Sequence, residues 1–554
     1  MKKTFLLSCL MLAAMPVMAA YTGHVYVDKN KNGVFDQSEK PLAGIKVSDG
    51  LNVVETAADG SFTLPGHERE RFIFITTPSG YKTFNRHYHK IEKKQSGYDF
   101  GLIPYSGRIR KDGSHRYIHI TDTEIFNTEN HADWVNNVRD YARNEQAAFI
   151  IHTGDICYEK GLKAHIKLMN TENMDCPVFY CIGNHDLVKG KYGEELFESI
   201  YGPVYYSFDA GNVHYVVTPM PGGDHAPGYT SDDVCRWLKN DLAHIRPGTP
   251  VVVFNHDLLT YEDTFIFKSK NAGSINLNEY NLKAWVYGHW HINYMKKQGD
   301  VYSVCTSSLD KGGIDHSTTA FRVMHVDSKG DFTSELRYTY LDKNICIASP
   351  AGVMASGVLP VAVNVYSSVS PVREVLYTCL ADGKPVLKNK RLLQSTDWSW
   401  NGELPLSHKY VGKELTLRVT ARFNNGEIAE AESNFICRTE KAVPLFSADW
   451  DNLSGNAKHS APVSAPLNLP LQLAWTNNVG ANLYMTSPLI HKGKVIVASV
   501  DEDLKGVGHV YALNGKDGTI LWSCPVRNSI KNSIAVDSDI VFAQDAQGLS
   551  LIHI

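Results

Sequence analysis

The chain has 554 residues, of which 43% are hydrophobic and 21% are charged, and its formal net charge is −4. This length is too great for one hydrophobic core and predicts several domains. Because nucleic-acid binding usually needs a strongly basic face, the slight negative charge argues against a nucleic-acid-binding surface.

The first 20 residues have the pattern of a secretory signal peptide. Lys2 and Lys3 precede an apolar run that ends in small residues. We therefore expect cleavage near Ala19 or Ala20 and a secreted or periplasmic protein. A membrane anchor is the alternative, but the apolar centre is short for a span. No other segment is apolar enough to cross a bilayer, so the sequence predicts no transmembrane span.

Residues 21–105 consist of short alternating runs separated by Gly and Pro, which predict an N-terminal β-sandwich module. Within it, the stretch DKNKNGVFDQSE places oxygen-bearing side chains at the spacing of a calcium loop, with Gly33 at the sharp turn. The candidate calcium ligands are Asp28, Asn30, Asn32, Asp36 and Glu39. The alternative is a polar hairpin turn, because a strand-like segment precedes the loop where a helix would be expected. The region resembles the β-modules that precede some bacterial phosphoesterase domains.

Residues 110–340 alternate apolar strand-like runs with amphipathic helical stretches such as ADWVNNVRDYARNEQ. This α/β pattern places polar motif residues just beyond the predicted strands. The active sites of open α/β sheets lie at such strand ends. The sequence therefore predicts that the functional site of this domain is built from the loops that follow its strands.

The remainder of the chain is predicted to be β-rich. Residues 345–440 suggest an immunoglobulin- or fibronectin-like sandwich, and the Pro- and Ser-rich residues 441–469 a linker. In residues 470–554, Trp475 and Trp522 lie 47 residues apart, and the repeat resembles that of quinoprotein-type β-propellers. Too few blades are present for closure. Residues 549–554 depart from the repeat and are interpreted as a sequencing artefact.

Five motifs occur in order in the central region, each after a predicted strand. They are Asp122-Thr-Glu124, Gly154-Asp155-x-x-Tyr158, Gly183-Asn184-His185-Asp186, Asn255-His256 and Gly288-His289-Trp-His291. A pair of divalent cations needs a bridging carboxylate and terminal oxygen and nitrogen ligands, which this set supplies. Such mixed ligands suit Mn, Fe or Zn better than Mg or Ca.

These motifs resemble those of calcineurin-like metallophosphoesterases of the bacterial secreted type. The resemblance implies that Asp122, Asp155 and His291 bind the first metal and that Asp155, Asn184, His256 and His289 bind the second. It also implies that hydroxide on the metals is the nucleophile, that His185 protonates the leaving oxygen, and that Asp186 orients His185. The predicted architecture is multidomain: a central α/β metallophosphoesterase sandwich, flanking β-sandwich domains and a partial β-propeller.

Glu124 occupies a position where the family usually has a histidine that binds the first metal. Three interpretations remain open: Glu124 is a working oxygen ligand, it is displaced from the metal so that one ion is held weakly, or the site is inactive. A carboxylate can bind the same ions, but its negative charge lowers the effective positive charge of the pair.

The predicted function is metal-dependent hydrolysis of phosphomonoesters or phosphodiesters, with a phosphorylated small molecule or a cell-surface group as substrate. The alternative is a weak or inactive domain that serves as a scaffold binding glycans or proteins. A quinone-dependent dehydrogenase follows only from the propeller resemblance, and repeat similarity does not establish cofactor binding.

Overall fold

The computed structural model describes residues 20–95, 97–439, 449–460, 471–484, 486–503 and 507–553, with side chains described up to residue 547. Most of the predicted signal peptide and much of the predicted linker lie outside these residues. The described chain is mostly β, with four α-helices. None of its helices is both long and apolar enough to cross a membrane.

The N-terminal region forms two small sheets around one apolar cluster. Its strands are β1 Tyr21–Val27, β2 Lys40–Pro41, β3 Lys46–Ser48, β4 Val53–Glu55, β5 Ser61–Leu64, β6 Phe72–Ile75, β7 Tyr81–Thr83, β8 Tyr88–Lys90 and β9 Phe100–Pro104. One sheet has the order β2-β1-β9-β7, with β5 paired to β1, and the other has the order β4-β3-β6-β8. Val25, Phe62, Ile73 and Leu102 are buried in the cluster between them.

The candidate calcium loop is closed by hydrogen bonds among its own residues. The buried Asp28 carboxylate accepts bonds from the backbone N–H groups of Asn32 and Gly33, at 3.1 and 2.9 Å. Asp36 Oδ2 accepts a bond from Asn30 Nδ2 at 2.7 Å. Gly33 has a φ of 72°, which a residue without Cβ adopts without steric cost. The geometry is compatible with a cation loop and with a polar turn, so calcium binding stays a prediction.

We expect Ca²⁺ to raise the free energy of unfolding by about 2.7 kcal/mol when its concentration is 100 times Kd. Thermal melts with Ca²⁺ or with EDTA measure the effect. Asp28→Asn removes the charge of a predicted ligand and should reduce the effect of Ca²⁺. Asp59→Asn removes an exposed carboxylate elsewhere in the module and is the matched control, in which the effect should be unchanged. Equal melting temperatures for the wild type in both solutions would reject the calcium assignment.

The central region contains thirteen strands and all four α-helices of the described chain. The strands are β10 His115–Ile120, β11 Phe149–His152, β12 Val178–Tyr180, β13 Tyr206–Ala210, β14 Val213–Val217, β15 Val251–Phe254, β16 Ile266–Lys268, β17 Ser274–Asn276, β18 Leu282–Tyr287, β19 Tyr294–Gln298, β20 Val301–Cys305, β21 Ala320–Val326 and β22 Phe332–Tyr338. The helices are α1 Ala132–Asn144, α2 Tyr158–Leu168, α3 Glu195–Tyr201 and α4 Ser231–Ala243.

Two larger sheets of the central region pack against each other through aromatic side chains. Their strand orders are β12-β11-β10-β21-β22 and β13-β14-β15-β18-β20-β19. Tyr117 of the first sheet contacts Phe254 of the second with ring centroids 5.7 Å apart, and Phe149 contacts Tyr215 at 5.0 Å. Helix α1 buries an apolar stripe that includes Trp134 and Val138, as its helical spacing predicts. The motif-bearing strands are thereby held on a rigid frame.

A buried histidine links β13, β14 and α4. The ring of His214 lies between two carboxylates, with Nδ1 2.7 Å from Asp209 and Nε2 2.8 Å from Asp241. Burial alone would lower the pKa of His214, but the two carboxylates outweigh it and raise the pKa to about 9. Lys46 of the N-terminal region lies 3.7 Å from Asp209 and extends this charged group between the two regions.

We expect the free energy of unfolding to fall as the pH rises through about 9, because the folded His214 ring then loses its proton. The stabilisation is fully present below about pH 6.5, where an unfolded histidine is also charged, and amounts to on the order of 3 kcal/mol. Urea unfolding between about pH 6 and about pH 10 measures it. His214→Gln should reduce this pH dependence by the contribution of His214, and an unchanged profile in that variant would count against it.

The third region forms a four-stranded and a five-stranded sheet. Its strands are β23 Asn344–Ser349, β24 Gly352–Ala355, β25 Val358–Tyr366, β26 Val372–Ala381, β27 Lys384–Arg391, β28 Leu393–Gln394, β29 Ser399–Pro405, β30 Glu414–Phe423 and β31 Ile428–Arg438. The sheets have the orders β23-β25-β29-β28 and β24-β31-β30-β26-β27. Val361 and Trp400 of the first and Val419 of the second are buried in one cluster.

The C-terminal region contains a four-stranded sheet, β32-β33-β34-β35, and a three-stranded sheet, β36-β37-β38. The strands are β32 Leu489–His491, β33 Lys494–Ala498, β34 His509–Asn514, β35 Ile520–Pro525, β36 Ala535–Asp537, β37 Ile540–Asp545 and β38 Gly548–His553. All neighbouring strands pair antiparallel. A β-propeller is not shown by these two sheets, so the propeller and the artefact at residues 549–554 stay predictions.

Candidate metal centre

The predicted metal-binding residues follow the carboxyl ends of five strands of the central region. Asp122 follows β10, Asp155 follows β11 and Asn184 follows β12, and these three strands are parallel. In the second sheet, His256 follows β15, while His289 and His291 follow β18, which is parallel to β15. Parallel strands bring their carboxyl ends to one edge of a sheet, and the two packed sheets bring the two edges together.

The backbone at this edge is held in an unusual conformation. Five of the predicted site residues have positive φ angles between 42° and 64°: Asp122, Glu124, Asp155, His289 and His291. Left-handed backbone costs an L-residue roughly 1–2 kcal/mol. Such strain persists where the surrounding structure enforces it, and it clusters at functional sites. The strained backbone lowers the stability of the fold, and in return it directs these side chains towards one another.

Two glycines allow the strand ends to approach closely. A Cβ at Gly183 would lie 2.2 Å from Asp155 Oδ1, and a Cβ at Gly288 would lie 1.9 Å from Thr121 Oγ1 and 2.5 Å from Asp122 Oδ2. These separations are shorter than any allowed contact. The glycines of the Gly-Asn-His-Asp and Gly-His-Trp-His motifs are therefore required by the close approach of the carboxylates.

Asp155, His256 and His289, three of the four predicted ligands of the second metal, lie close together. Ligand atoms of Asp155, His256 and His289 all lie within 4.8 Å of one another. His256 Nδ1 is 2.8 Å from Thr153 O, which leaves Nε2 pointing to Asp155 Oδ2 at 3.1 Å. The buried Asn184 Oδ1 has no hydrogen-bond partner among the described residues. An acceptor left without a donor fits a site that a cation completes.

The charges at this position favour a cation. Burial alone would lower the pKa of His256, but the carboxylates of Asp155 and Asp122 outweigh burial and raise it to about 9. The same carboxylates that stabilise the ring proton would stabilise a divalent ion. Oxygen ligands from Asp and Asn, combined with imidazole nitrogens, suit first-row transition metals. The donor set therefore fits the metal type that the sequence predicts.

The predicted ligands of the first metal are also brought together. His291 Nε2 lies 3.4 Å from Asp122 Oδ1 and 3.7 Å from Glu124 Oε1. The other carboxylate oxygen of Glu124, Oε2, is 2.7 Å from Lys311 Nζ. Glu124 thus directs one oxygen to the site and pairs the other with a lysine. Lys311 belongs to no recognisable motif, and sequence analysis missed it.

His185 lies beside this centre, but its partner differs from the predicted one. Its Nδ1 is 2.8 Å from Asp224 Oδ2 and 3.4 Å from the Tyr158 hydroxyl. Asp186 instead accepts hydrogen bonds from Gly183 N at 2.9 Å and from Cys157 N at 2.8 Å. The prediction that Asp186 orients the His185 ring is therefore wrong. Asp186 is buried and holds the backbone of the motif, because its short side chain turns back to these N–H groups.

The electrostatics of the His185 pair support this assignment. Burial works against the protonated ring, but the hydrogen bond that the ring donates to Asp224, followed by the charge of Asp155, raises the pKa of His185. Burial, followed by the charge of Asp155, raises the pKa of Asp186 well above the usual range of a carboxyl group. Asp224 lies in the loop between β14 and α4, where no sequence pattern marks it as a site residue.

Comparisons with known proteins agree with the motifs. Residues 115–293 match the family model described as Calcineurin-like phosphoesterase, and residues 29–104 match the model described as N terminal of Calcineurin-like phosphoesterase. The chain is 26% identical over 215 residues to Purple acid phosphatase 13 of Arabidopsis thaliana, covering 36% of each protein. The chain therefore spans about a third of the length of this curated relative.

Solved structures give weaker similarities. A conserved uncharacterized protein of Streptococcus pneumoniae, described as a predicted phosphoesterase, is 12% identical, with 41% of this chain and 98% of that chain covered and a TM-score of 0.20. BamB of Moraxella catarrhalis is also 12% identical, with 42% and 67% covered and a TM-score of 0.14. These scores are too low to establish a common overall fold.

Proposed function

Because the chain carries a calcineurin-like phosphoesterase domain with its N-terminal module, we propose that it is a metal-dependent hydrolase of phosphomonoesters or phosphodiesters. The observation that carries this proposal is the convergence of ligand atoms of Asp155, His256 and His289 within 4.8 Å. Divalent metal ions are implied by the family and by the similarity to a purple acid phosphatase. Their identity as Mn, Fe or Zn is part of the proposal.

Each side chain has a distinct task in the proposed reaction. Asp155 would bridge both metal positions, Asp122, Glu124 and His291 would complete the first, and Asn184, His256 and His289 would complete the second. When bound, a pair of divalent cations polarises the phosphoryl group and activates water.

His185 is the proposed proton donor. Its Nδ1 is hydrogen-bonded to Asp224 at 2.8 Å, which leaves Nε2 free to give a proton to the leaving oxygen. The hydrogen bond to Asp224 raises the pKa of the His185 ring, which favours the protonated form that a proton donor needs. Asp224 replaces Asp186 as the proposed orienting carboxylate.

Metal analysis and a substrate panel test the proposed function together. We expect about two equivalents of transition metal per chain and hydrolysis of nitrophenyl phosphate or bis-nitrophenyl phosphate that a chelator abolishes. Added Mn²⁺ or Zn²⁺ should restore the activity. A folded protein that binds neither metal and hydrolyses neither ester would refute the proposal.

The second candidate function is a scaffold that binds glycans or proteins through its β-regions. It is favoured by the pairing of Glu124 with Lys311, because a carboxylate engaged by a lysine is a weaker metal ligand. The same metal analysis separates the two candidates. A metal-free, inert protein would support the scaffold, and stoichiometric metal with chelator-sensitive hydrolysis would exclude it.

The Glu124→His variant tests the role of the unusual acidic residue. We expect its activity to be equal to or higher than that of the wild type, with a shift in metal preference, because imidazole adds a nitrogen ligand and removes a negative charge. Activity and bound metal after reconstitution with Mn²⁺ or Zn²⁺ measure the change. Glu129→His, on the same exposed loop, is the matched control. Complete loss of activity or of folding would instead assign Glu124 a structural role.

Two further proposals rest on sequence patterns. We propose that the signal peptide is cleaved near Ala19 or Ala20 and that the mature protein is secreted or periplasmic. We also propose that the two C-terminal sheets belong to an incomplete β-propeller, on the 47-residue spacing of Trp475 and Trp522. N-terminal sequencing of the protein recovered outside the cytoplasm tests the first of these.

A further inference from the structure

A lysine of the C-terminal region contacts the loop next to the candidate metal centre. Lys531 lies between β35 and β36, and its Nζ is 2.6 Å from Asn293 O, 2.8 Å from Asp315 Oδ2 and 2.7 Å from Glu502 Oε1. Asn293 O and Asp315 Oδ2 accept hydrogen bonds from this ammonium group, and Glu502 Oε1 forms an ion pair with it. The side chain of Lys531 is only 9% exposed. Lys531 is therefore a buried, paired charge between the C-terminal region and the central region.

The loop that Lys531 contacts touches two residues of the first metal position. We define it as the 308–317 loop, between β20 and β21. Ile314 N donates to His291 O at 2.9 Å, and Lys311 Nζ lies 2.7 Å from Glu124 Oε2. Asp315, which pairs with Lys531, lies between these contacts and the C-terminal region. The loop thus connects Lys531 with both His291 and Glu124.

The C-terminal region has further buried contacts with the central region. Arg322 of β21 is fully buried and pairs with Asp503 at 2.7 Å. Asn528 Nδ2 donates to Met295 O at 3.2 Å. Buried charges are stable only while they are paired, so removing one partner disturbs the others. These contacts fix the position from which Lys531 acts.

We propose that Lys531 is a positioning residue for the first metal: it holds the 308–317 loop so that His291 and Glu124 keep the spacing that this ion requires. The inference rests on the proposed function, because it concerns a metal position of that site. Lys531 does not reach the site itself and acts through Asn293, two residues after His291, and through Asp315 of the loop. Within the described part of the chain, the hydrogen bonds and ion pairs of this loop reach His291 and Glu124 but none of the ligands proposed for the second metal, so the first position should respond more strongly.

Equilibrium dialysis with Mn²⁺ tests the proposal directly. We expect Lys531→Met to raise the Kd of one of the two classes of Mn²⁺ sites about tenfold or more, as for other residues that support a metal ligand. The Kd of the other class should change less than about twofold. Lys531→Arg, which keeps the charge and several donors, should recover most of the affinity. In Lys531→Met, the rate of hydrolysis at limiting Mn²⁺ should fall, and it should recover when the Mn²⁺ concentration is raised.

Two controls separate positioning from damage to the fold. Lys492→Met removes an exposed ion pair with Asp539 in the same C-terminal region and should leave both Mn²⁺ affinities unchanged. If Lys531→Met does not fold, Asp315→Asn breaks the same contact with little change in size and should weaken the same class of sites. Circular dichroism melts establish that each variant is folded.

Unchanged Mn²⁺ affinities in folded Lys531→Met and Asp315→Asn would overturn this inference, and so would an equal loss at both classes of sites. The proposed function fails in a different way. A wild-type protein that binds about two Mn²⁺ ions but hydrolyses no phosphate ester would refute catalysis. In that case, the comparison of metal affinities would still decide whether Lys531 positions the first metal.

Discussion

Replacing Asp155 by Asn is expected to reduce the hydrolysis of phosphate esters by about a thousandfold and to lower the metal content. Asp155 is the proposed ligand of both metals, and its Oδ2 lies 3.1 Å from His256 Nε2. An amide has no negative charge and offers a single carbonyl oxygen, so it cannot bridge two cations. Steady-state kinetics and metal analysis of the purified variant measure the two effects.

The fold of the Asp155→Asn variant should be preserved, because its carbonyl oxygen can still accept the hydrogen bond from His185 N, which is 3.0 Å long in the wild type. Asp331→Asn removes an exposed carboxylate that pairs with Lys283, and it is the matched control with unchanged activity and metal content. Near-full activity of Asp155→Asn would show that the assigned site is wrong.

Replacing His185 by Ala is expected to reduce kcat by about 10²–10⁴, the usual contribution of a general acid. The metal content should stay at the wild-type value, because the ring of His185 is not among the proposed ligands. The pair of variants therefore separates metal binding from proton transfer. The loss should be smaller for nitrophenyl esters than for alkyl esters, because a good leaving group needs less protonation.

His225→Ala is the control for His185→Ala, since it removes an exposed histidine from the neighbouring loop. Asp224→Asn should weaken the activity less than His185→Ala does, because it leaves the imidazole in place and removes only its charged partner at 2.8 Å. An Asp224→Asn variant with normal kinetics would contradict the role given to this carboxylate.

The local part of the site could be predicted from the sequence. Each predicted site residue or motif follows an apolar run, and each run predicts a strand that ends just before it. These residues and motifs are Asp122, Asp155, Asn184, His256 and Gly-His-Trp-His. Parallel strands place such ends at one edge, so the convergence of these residues follows from pattern and topology. Residues 115–293 match the family model that the motifs led us to expect, and residues 29–104 match the model of its N-terminal part.

The partners of these residues could not be predicted from the sequence. Asp224 is 39 residues from His185, and Lys311 is 187 residues from Glu124. Asp186, by contrast, is adjacent to His185 in the sequence, yet it turns back to the backbone N–H groups of Gly183 and Cys157. Adjacency in the chain therefore suggested the wrong carboxylate, since a hydrogen bond depends on side-chain direction as well as on distance along the chain.

The sequence by itself determined the chemistry of this protein: which residue types follow which strands, and that carboxylate, amide and imidazole ligands suited to transition metals are present. Only the tertiary structure decided which charged side chains contact the site residues and their loops. Asp224 lies beside His185 and Lys311 lies beside Glu124. Lys531 pairs with Asp315, which is 216 residues earlier in the chain. The physical reason is that strand ends are set by local apolar patterns, whereas charged pairs between loops depend on how whole sheets pack.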